Sequence, residues 1–518
     1  MPTAGPSSVP DRLVNPAIYE IYPRSFHDST GSGEGDLNGI TGKLEHVRDL
    51  GVDAIWLAPF YPSPRVDGGY DVRDHRAVDP RLGSLEDFDR LLARAHELGL
   101  AVLIDMVFKH TSVDHTWFRA ALDGDTEAAA RYVFRDPKPD GTPPTNWIGY
   151  FGTPAWSWAH QRQQYYLHEY HRGQPSVNHR NPEVMAEQQA IMAFWKARGV
   201  DGFRFDAVTS WFHDEKLRDN PAAAPEDRPR IDGLPHSPYN RQRHRRDMQE
   251  GEGRDRMTLI REWAGDEMFL IGENNFGLAS VEISQGYTGP GRLDACYTTD
   301  TVRCGTSPRL WSAMLDKTNG TWRLPWWFSS HDQARATTRL WDDHPGAPAF
   351  LAALLAVLPG SVMIYQGEEL GLPQPDVRRA ESEDPFDRAF WPDGPGRSGA
   401  RVPIPWDETP ETFGFTRGTP WLPMRWLEGI SVRAQEGSET STLARYRAAL
   451  RIRRDHGLAS PRELTHRQEG RRLQLTAHTE VSTIEAVFDF DDLTFEIRTG
   501  ETVLMSDACR TPGARRAG

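Results

Sequence analysis

The sequence predicts an α/β fold: a TIM-type (β/α)8 barrel, with a subdomain inserted after the third strand and a small C-terminal antiparallel β-domain. Three observations lead there. A unit of amphipathic helix, glycine and short apolar run recurs along the chain. Roughly eight such runs spread over about 440 residues, which suits a closed barrel with insertions better than an open doubly wound sheet. The two longest connections both leave from C-terminal ends of strands, the barrel face on which sites assemble.

Taken in order, Ala17–Tyr22 is the first apolar run. Leu44, Val47 and Leu50 lie at helical spacing, Gly51 ends that helix, and 52–57 reads as a strand. Leu85, Phe88, Leu91, Leu92, Ala95 and Leu98 repeat the plan before Gly99 and the strand 101–104. Val184, Ile191, Phe194 and Trp195 do so again before Gly199 and 200–205. Further strands are expected at Phe269–Gly272, Asp294–Cys296, Trp326–Ser329 and Val362–Tyr365. About 90 residues separate the strand near Val107 from the one at Val200, against roughly 30 for one helical crossover. The excess is rich in Trp, Tyr, Pro and Gly and predicts a subdomain over 111–176, with the barrel at 1–110 and 177–455. The stretch from Phe212 to about Arg254 is a second, polar excursion, in which Arg241–Arg246 reads as a solvated helix face. After a helix near Thr442–Arg454, the runs Leu473–Thr476, Thr483–Phe488 and Leu493–Ile497 predict the β-domain of 456–518, with a frayed end from Asp507.

The 518 residues carry 60 basic and 74 acidic side chains, a net charge of −14. That excess argues against nucleic acid or an anionic membrane as a partner, since phosphate binding wants clustered Lys and Arg. No window approaches 18 uninterrupted apolar residues, so no membrane span is expected. Met1–Pro16 has no apolar core of a secretory leader. Three cysteines, Cys296, Cys304 and Cys509, show no CxxC spacing or paired framework, which suits a reducing, cytoplasmic compartment.

Chemistry-bearing residues collect where strands end: Asp105 and His110, Arg204 and Asp206, Glu273, His331 and Asp332. Any single acid among them could cap a helix. Together, at separate strand ends and beside two histidines and an arginine, they argue for a site, because burying unpaired carboxylates is costly. Residues i and i+2 of a strand share a face, so Arg204 and Asp206 point into one mouth while Phe203 and Phe205 point away. The guanidinium is expected to lower the Asp206 pKa and keep a nucleophile ionised. Glu273 follows Phe269-Leu270-Ile271-Gly272, an apolar setting expected to raise its pKa. Two carboxyl groups pushed apart in pKa suit glycosidic bond cleavage.

These stretches carry a resemblance. Ile21–Phe26, Asp67–Asp71, Asp105–His110, Gly202–Ala207, Ile271–Glu273, Ser330–Asp332, Tyr365–Gly371 and Arg401–Asp407 resemble, in order, the α-amylase superfamily, glycoside hydrolase family 13, in its α-glucosidase and oligo-1,6-glucosidase branch. The resemblance spans about residues 17–455. It implies a retaining, exo-acting α-glucosidase for small α-glucosides or oligosaccharides, with transglucosylation as a side activity. Asp206 would be the nucleophile, Glu273 the acid and then the base, and Asp332 a holder of sugar hydroxyls. His110, His331 and Arg204 would bind the same glucose, Asp67 and Arg401 its far hydroxyls, and Tyr70 would stack beneath it. In this branch a Val after the nucleophile resembles α-1,6 preference. Ala207 leaves room beside the next sugar and favours α-1,4 or other small α-glucosides. A glucosyl transferase or isomerase on the same chemistry, and a non-catalytic hydrolase-like binding protein, are the other readings. The chain is expected to act as a monomer or homodimer.

Departures from the pattern bear on metal and aglycone. Lys109 stands where many relatives carry a calcium-contacting Asn, and its ammonium could replace a cation. The loop Asp28-Ser29-Thr30-Gly31-Ser32-Gly33-Glu34-Gly35-Asp36 resembles a D-x-N-G-D-G-x-G-D calcium loop, with Thr30 and Ser32 replacing two oxygen-rich ligands. A structural Ca²⁺ held by Asp28, Thr30, Ser32, Glu34 and Asp36 is therefore a candidate, weakened by the lost ligand charge. No other cofactor is expected. Ser176, Ser330, Asn274 and Asn275 also differ from the usual residues and point to an unusual aglycone, with the amides making the surroundings of Glu273 more polar.

Overall fold

The computed structural model describes residues 13–228, 234, 236–275, 279–318 and 320–507. Eight parallel strands form the central sheet: β1 (Ala17–Ile21), β2 (Ala54–Leu57), β3 (Ala101–Met106), β7 (Gly202–Phe205), β8 (Phe269–Asn274), β9 (Ala295–Thr298), β10 (Trp326–Trp327) and β11 (Val362–Tyr365). Their order is β10-β11-β1-β2-β3-β7-β8-β9, a barrel wound in sequence order with β1 beside β11. The repeating unit behaves as the spacing predicts. Helices Leu44–Leu50, Leu85–Glu97 and Pro182–Arg198 precede Gly51, Gly99 and Gly199, each left-handed at φ 94°, 76° and 98°. An L side chain resists that conformation, so glycine turns the chain from helix into strand there.

Period-two alternation divides each strand between two cores. Ile18, Ala54, Trp56, Ala101, Leu103, Phe269 and Ile271 fill the barrel. Tyr19, Ile55, Val102, Ile104, Phe203 and Leu270 face the surrounding helices. At the C-terminal end the inward series turns polar: Glu20, Asp105, Arg204 and Glu273 succeed the apolar layers. Register pairs Asp105 with Arg204 and Glu273 with Tyr297.

The insertion after β3 carries helices Thr116–Leu122 and Thr126–Ala130 and a three-stranded antiparallel sheet, β4 (Phe134–Arg135), β5 (Trp156–Ala159) and β6 (Gln164–Leu167), in the order β4-β6-β5. The C-terminal unit is a five-stranded antiparallel meander: β12 (Glu463–Glu469), β13 (Arg472–His478), β14 (Thr483–Asp489), β15 (Thr494–Thr499) and β16 (Thr502–Ser506). Phe350, from the barrel helix Ala347–Val357, meets Phe488, Phe490 and Phe495 edge-on at 5.0–6.4 Å and joins the two cores.

Arg241–Arg246 is not a helix face. A 3-10 turn, Pro238–Arg241, is followed by irregular chain in which the Arg245 and Arg246 amides donate to Asn220 Oδ1. His244 is buried, stacked on Tyr239 at 3.6 Å. Cys296 and Cys304 are buried free thiols; Cys509 and nearly all of the expected frayed end lie outside the described residues. Among the described residues no helix is long and apolar enough to cross a membrane.

Candidate active site

Arg204 organises the mouth of the barrel. It is 1% exposed, and its Nη1 donates to both Asp105 oxygens at 2.8 and 2.9 Å and to Asp206 Oδ1 at 2.8 Å. Its Nη2 donates to Glu273 Oε2 at 2.7 Å and to the Tyr297 hydroxyl at 2.6 Å. One guanidinium thus holds both acids, well inside the separation of about 10 Å beyond which two carboxyl groups cannot flank one glycosidic bond. Ala207, in the left-handed region at φ 45°, turns its amide toward Glu273 Oε2 at 3.2 Å.

Burial raises the Asp206 pKa to about 6. It outweighs the attraction of Arg204, and the nearby charge of Asp105 adds to it. The lowering expected from Arg204 alone is therefore reversed, because desolvation penalises the charged form more than one shared guanidinium favours it. Glu273 goes further, to about 8: burial again leads, Arg204 opposes it, and the charges of Asp206 and Asp332 add to the rise. The order of the two acids is the one the sequence suggests. Burial also works against the charge of Asp332, but Arg397, His331 and Arg401 overcome it and hold this carboxyl well below the usual range. Of the two amides that follow the acid, Asn274 Nδ2 donates to the Ser280 carbonyl and Ser284 Oγ, and Asn275, which lines the same cavity as Glu273, donates through Nδ2 to the Tyr170 hydroxyl at 2.6 Å.

The remaining candidates converge on the same cavity, walled among others by Asp67, Tyr70, His110, Asp206, Glu273 and Asp332. His331 is clamped between Tyr70 and Tyr22, parallel rings at 5.2 and 5.9 Å, and its Nδ1 pairs with Glu20. Tyr70 therefore stacks on a histidine, and its hydroxyl donates to Asp105 Oδ2 at 3.0 Å. Arg401 Nη2 donates to Asp332 Oδ1 at 2.8 Å and its Nε to the His331 carbonyl. Arg397 joins Asp67 and Asp332, each at 2.9 Å, and Gln174 Nε2 donates to Asp67 Oδ2 at 3.0 Å. Sequence reasoning passed over Arg397, Gln174, Glu20 and Tyr297. The four-residue spacing of Arg397 and Arg401, and the inward alternation of Glu20 and Tyr297, were the available signals.

In the Asp28–Asp36 loop the carboxylates face donors of the chain itself. Asp28 accepts from the amides of Thr30, Gly31 and Gly33 and the hydroxyls of Thr30 and Thr416, at 2.6–2.8 Å. Asp36 accepts from the Ser29 amide and hydroxyl and caps a short helix through the Gly39 amide. Glu34 faces Arg24 and Arg65, and the Ser32 hydroxyl donates to the Glu34 carbonyl. Among the described residues no group of three or more His, Cys, Asp or Glu is placed to share a metal ion. The buried Lys109 ammonium bridges Glu169 of the insertion and the Ser210 carbonyl of the barrel, and burial brings its pKa down to about 7.

Comparison with known proteins bears on this geometry. The model of the alpha-amylase catalytic domain matches residues 20–460. The chain belongs to the alpha-amylase family. It is 42% identical over 450 residues to a protein of Rhizobium meliloti (strain 1021) named probable alpha-glucosidase, covering 84% of this chain and 81% of that one. It is 34% identical over 485 residues to the trehalose-6-phosphate hydrolase of Escherichia coli (strain K12), covering 87% and 85%. Among solved structures, an alpha-glucosyl transfer enzyme superposes with a TM-score of 0.87 at 38% identity, covering 92% of this chain and 90% of that one. The match runs from the first strand of the barrel to just short of the C-terminal sheet, and the polar rim of the barrel strands is where the candidate residues meet.

Proposed function

We propose that the protein is a retaining, exo-acting α-glucosidase that releases the terminal α-glucosyl unit of small α-glucosides. The observation that carries this reading is the single Arg204 guanidinium binding both Asp206 and Glu273. Two carboxyl groups gathered on one cation support a mechanism in which both act on one glycosidic bond. An ionised Asp206 oxygen attacks the anomeric carbon, and the bond to the aglycone oxygen breaks as Glu273 gives that oxygen its proton. Glu273 then takes a proton from water, which attacks the anomeric carbon and releases Asp206. Asp332, His331, Asp67 and Arg397 face the glucose hydroxyls from the cavity wall.

Hydrolysis of 4-nitrophenyl α-glucoside followed by proton NMR tests the stereochemistry. α-Glucose is expected as the first product; β-glucose first would exclude retention. The likeness to an alpha-glucosyl transfer enzyme favours a second activity, in which an alcohol replaces water. Chromatography of products made with added alcohol measures the ratio of new glucosides to free glucose.

Activity needs Asp206 ionised and Glu273 protonated. kcat/KM should therefore rise with pH through about 6 and fall through about 8. Glu273→Gln should abolish the alkaline limb, and a wild-type profile flat from pH 5 to 9 would contradict these roles.

The loop 28–36 is proposed to be held by its own donors, without a cation. Neither a chelator nor added Ca²⁺ should move Tm by more than about 1 °C, whereas a site that binds only the folded chain would raise it. A cytoplasmic location is part of the same proposal, supported by the buried free thiols of Cys296 and Cys304.

A further inference from the structure

One buried acid at the mouth of the barrel has no part in the reaction described above. Glu20 follows Ile18 on the inward face of β1 and is 1% exposed. Its Oε1 accepts from His331 Nδ1 and, at 3.4 Å, from the His331 amide. Its Oε2 has no hydrogen-bond partner among the described residues. A buried carboxyl group so sparsely bonded costs stability, and the one residue it contacts lies in the wall of the glucose cavity.

His331 is held in plane by its neighbours. Tyr70 and Tyr22 lie on its two faces, each tilted by only 7°, and Trp56 meets it edge-on at 6.0 Å. Aromatic faces fix the plane of an imidazole but are indifferent to a half-turn of the ring, which would put carbon atoms where Nδ1 and Nε2 stand. Glu20 is not indifferent. A carboxylate accepts hydrogen bonds and donates none, so the ring atom that faces it must be a nitrogen carrying a proton. The opposite nitrogen, Nε2, is buried without a hydrogen-bond partner, 3.5 Å from Asp332 Oδ1.

We propose that Glu20 is a positioning residue: it holds the His331 ring with Nδ1 protonated, so that Nε2 is already turned toward a hydroxyl of the glucose before substrate binds. The two tyrosines set the plane of the ring, and the acid on the strand sets its orientation within that plane and the place of its proton. The inference rests on the contact with glucose given to His331 above.

NMR spectra of protein containing isotope-labelled histidine read that proton directly, the His331 signals being those missing from His331→Phe. The wild type is expected to carry a proton on Nδ1. Glu20→Met keeps the side-chain length without a carboxylate and should lose that preference. Its kcat/KM for 4-nitrophenyl α-glucoside should fall at least about tenfold. In the His331→Phe background the same change should cost less than about twofold, because the ring through which Glu20 acts is gone. Losses that multiply in the double variant would overturn the proposal. So would a wild-type His331 with a bare Nδ1, a result that stands even if Glu20→Met does not fold. A protein with Nδ1 protonated that hydrolyses no α-glucoside would overturn the hydrolase reading alone.

Discussion

Asp206→Asn is expected to lower kcat on 4-nitrophenyl α-glucoside by about 10⁴-fold or more while leaving the protein folded. An amide matches the carboxylate in shape and can still accept from Arg204 Nη1, but it cannot form the glycosyl ester. The same change removes a negative charge that helps raise Glu273. The Glu273 pKa should therefore fall in the variant, which NMR titration of its side-chain carboxyl carbon would read. Unchanged circular dichroism with near-normal turnover would eliminate Asp206 as the nucleophile.

Arg204→Leu is expected to be the most damaging single change to stability. Three carboxyl groups, those of Asp105, Asp206 and Glu273, lose their shared cation in a buried setting. Breaking a buried ion pair by removing one partner costs roughly 3–5 kcal/mol. Part of that is recovered if the acids take up protons, so the loss should be larger at pH 8 than at pH 5. Urea denaturation at both pH values measures it; an unchanged midpoint at pH 8 would refute the account. Arg204→Lys keeps the charge but cannot reach Asp105, Asp206, Glu273 and Tyr297 together. It should leave the fold nearer to wild type and lower kcat by about 10²-fold through misplacement of the two acids.

The repeating helix–glycine–strand unit was legible because it is local. Helical spacing before Gly51, Gly99 and Gly199 and the alternation of apolar residues each need only a short window of chain. Segments that lacked such a window were read less well. β12 and β16 went unrecognised, since Glu463–Glu469 is mostly polar and Thr502–Ser506 is largely exposed at the sheet edge. The strand expected over Trp326–Ser329 shortens to two residues in β10. The calcium-like spacing of Asp28–Asp36 was visible, but not that Thr416, nearly 400 positions away, donates to Asp28.

The amino-acid order by itself determined the barrel, its insertion, its C-terminal sheet and the set of acids at the strand ends, because period and spacing follow from backbone geometry alone. Tertiary structure alone decided which partners those acids have and how their protons are held. Arg397 and Gln174 reach Asp67 from distant segments, and burial turns the expected lowering of Asp206 into a rise. Desolvation and through-space charge depend on everything packed around a group, and no stretch of sequence next to Asp206 contains that information.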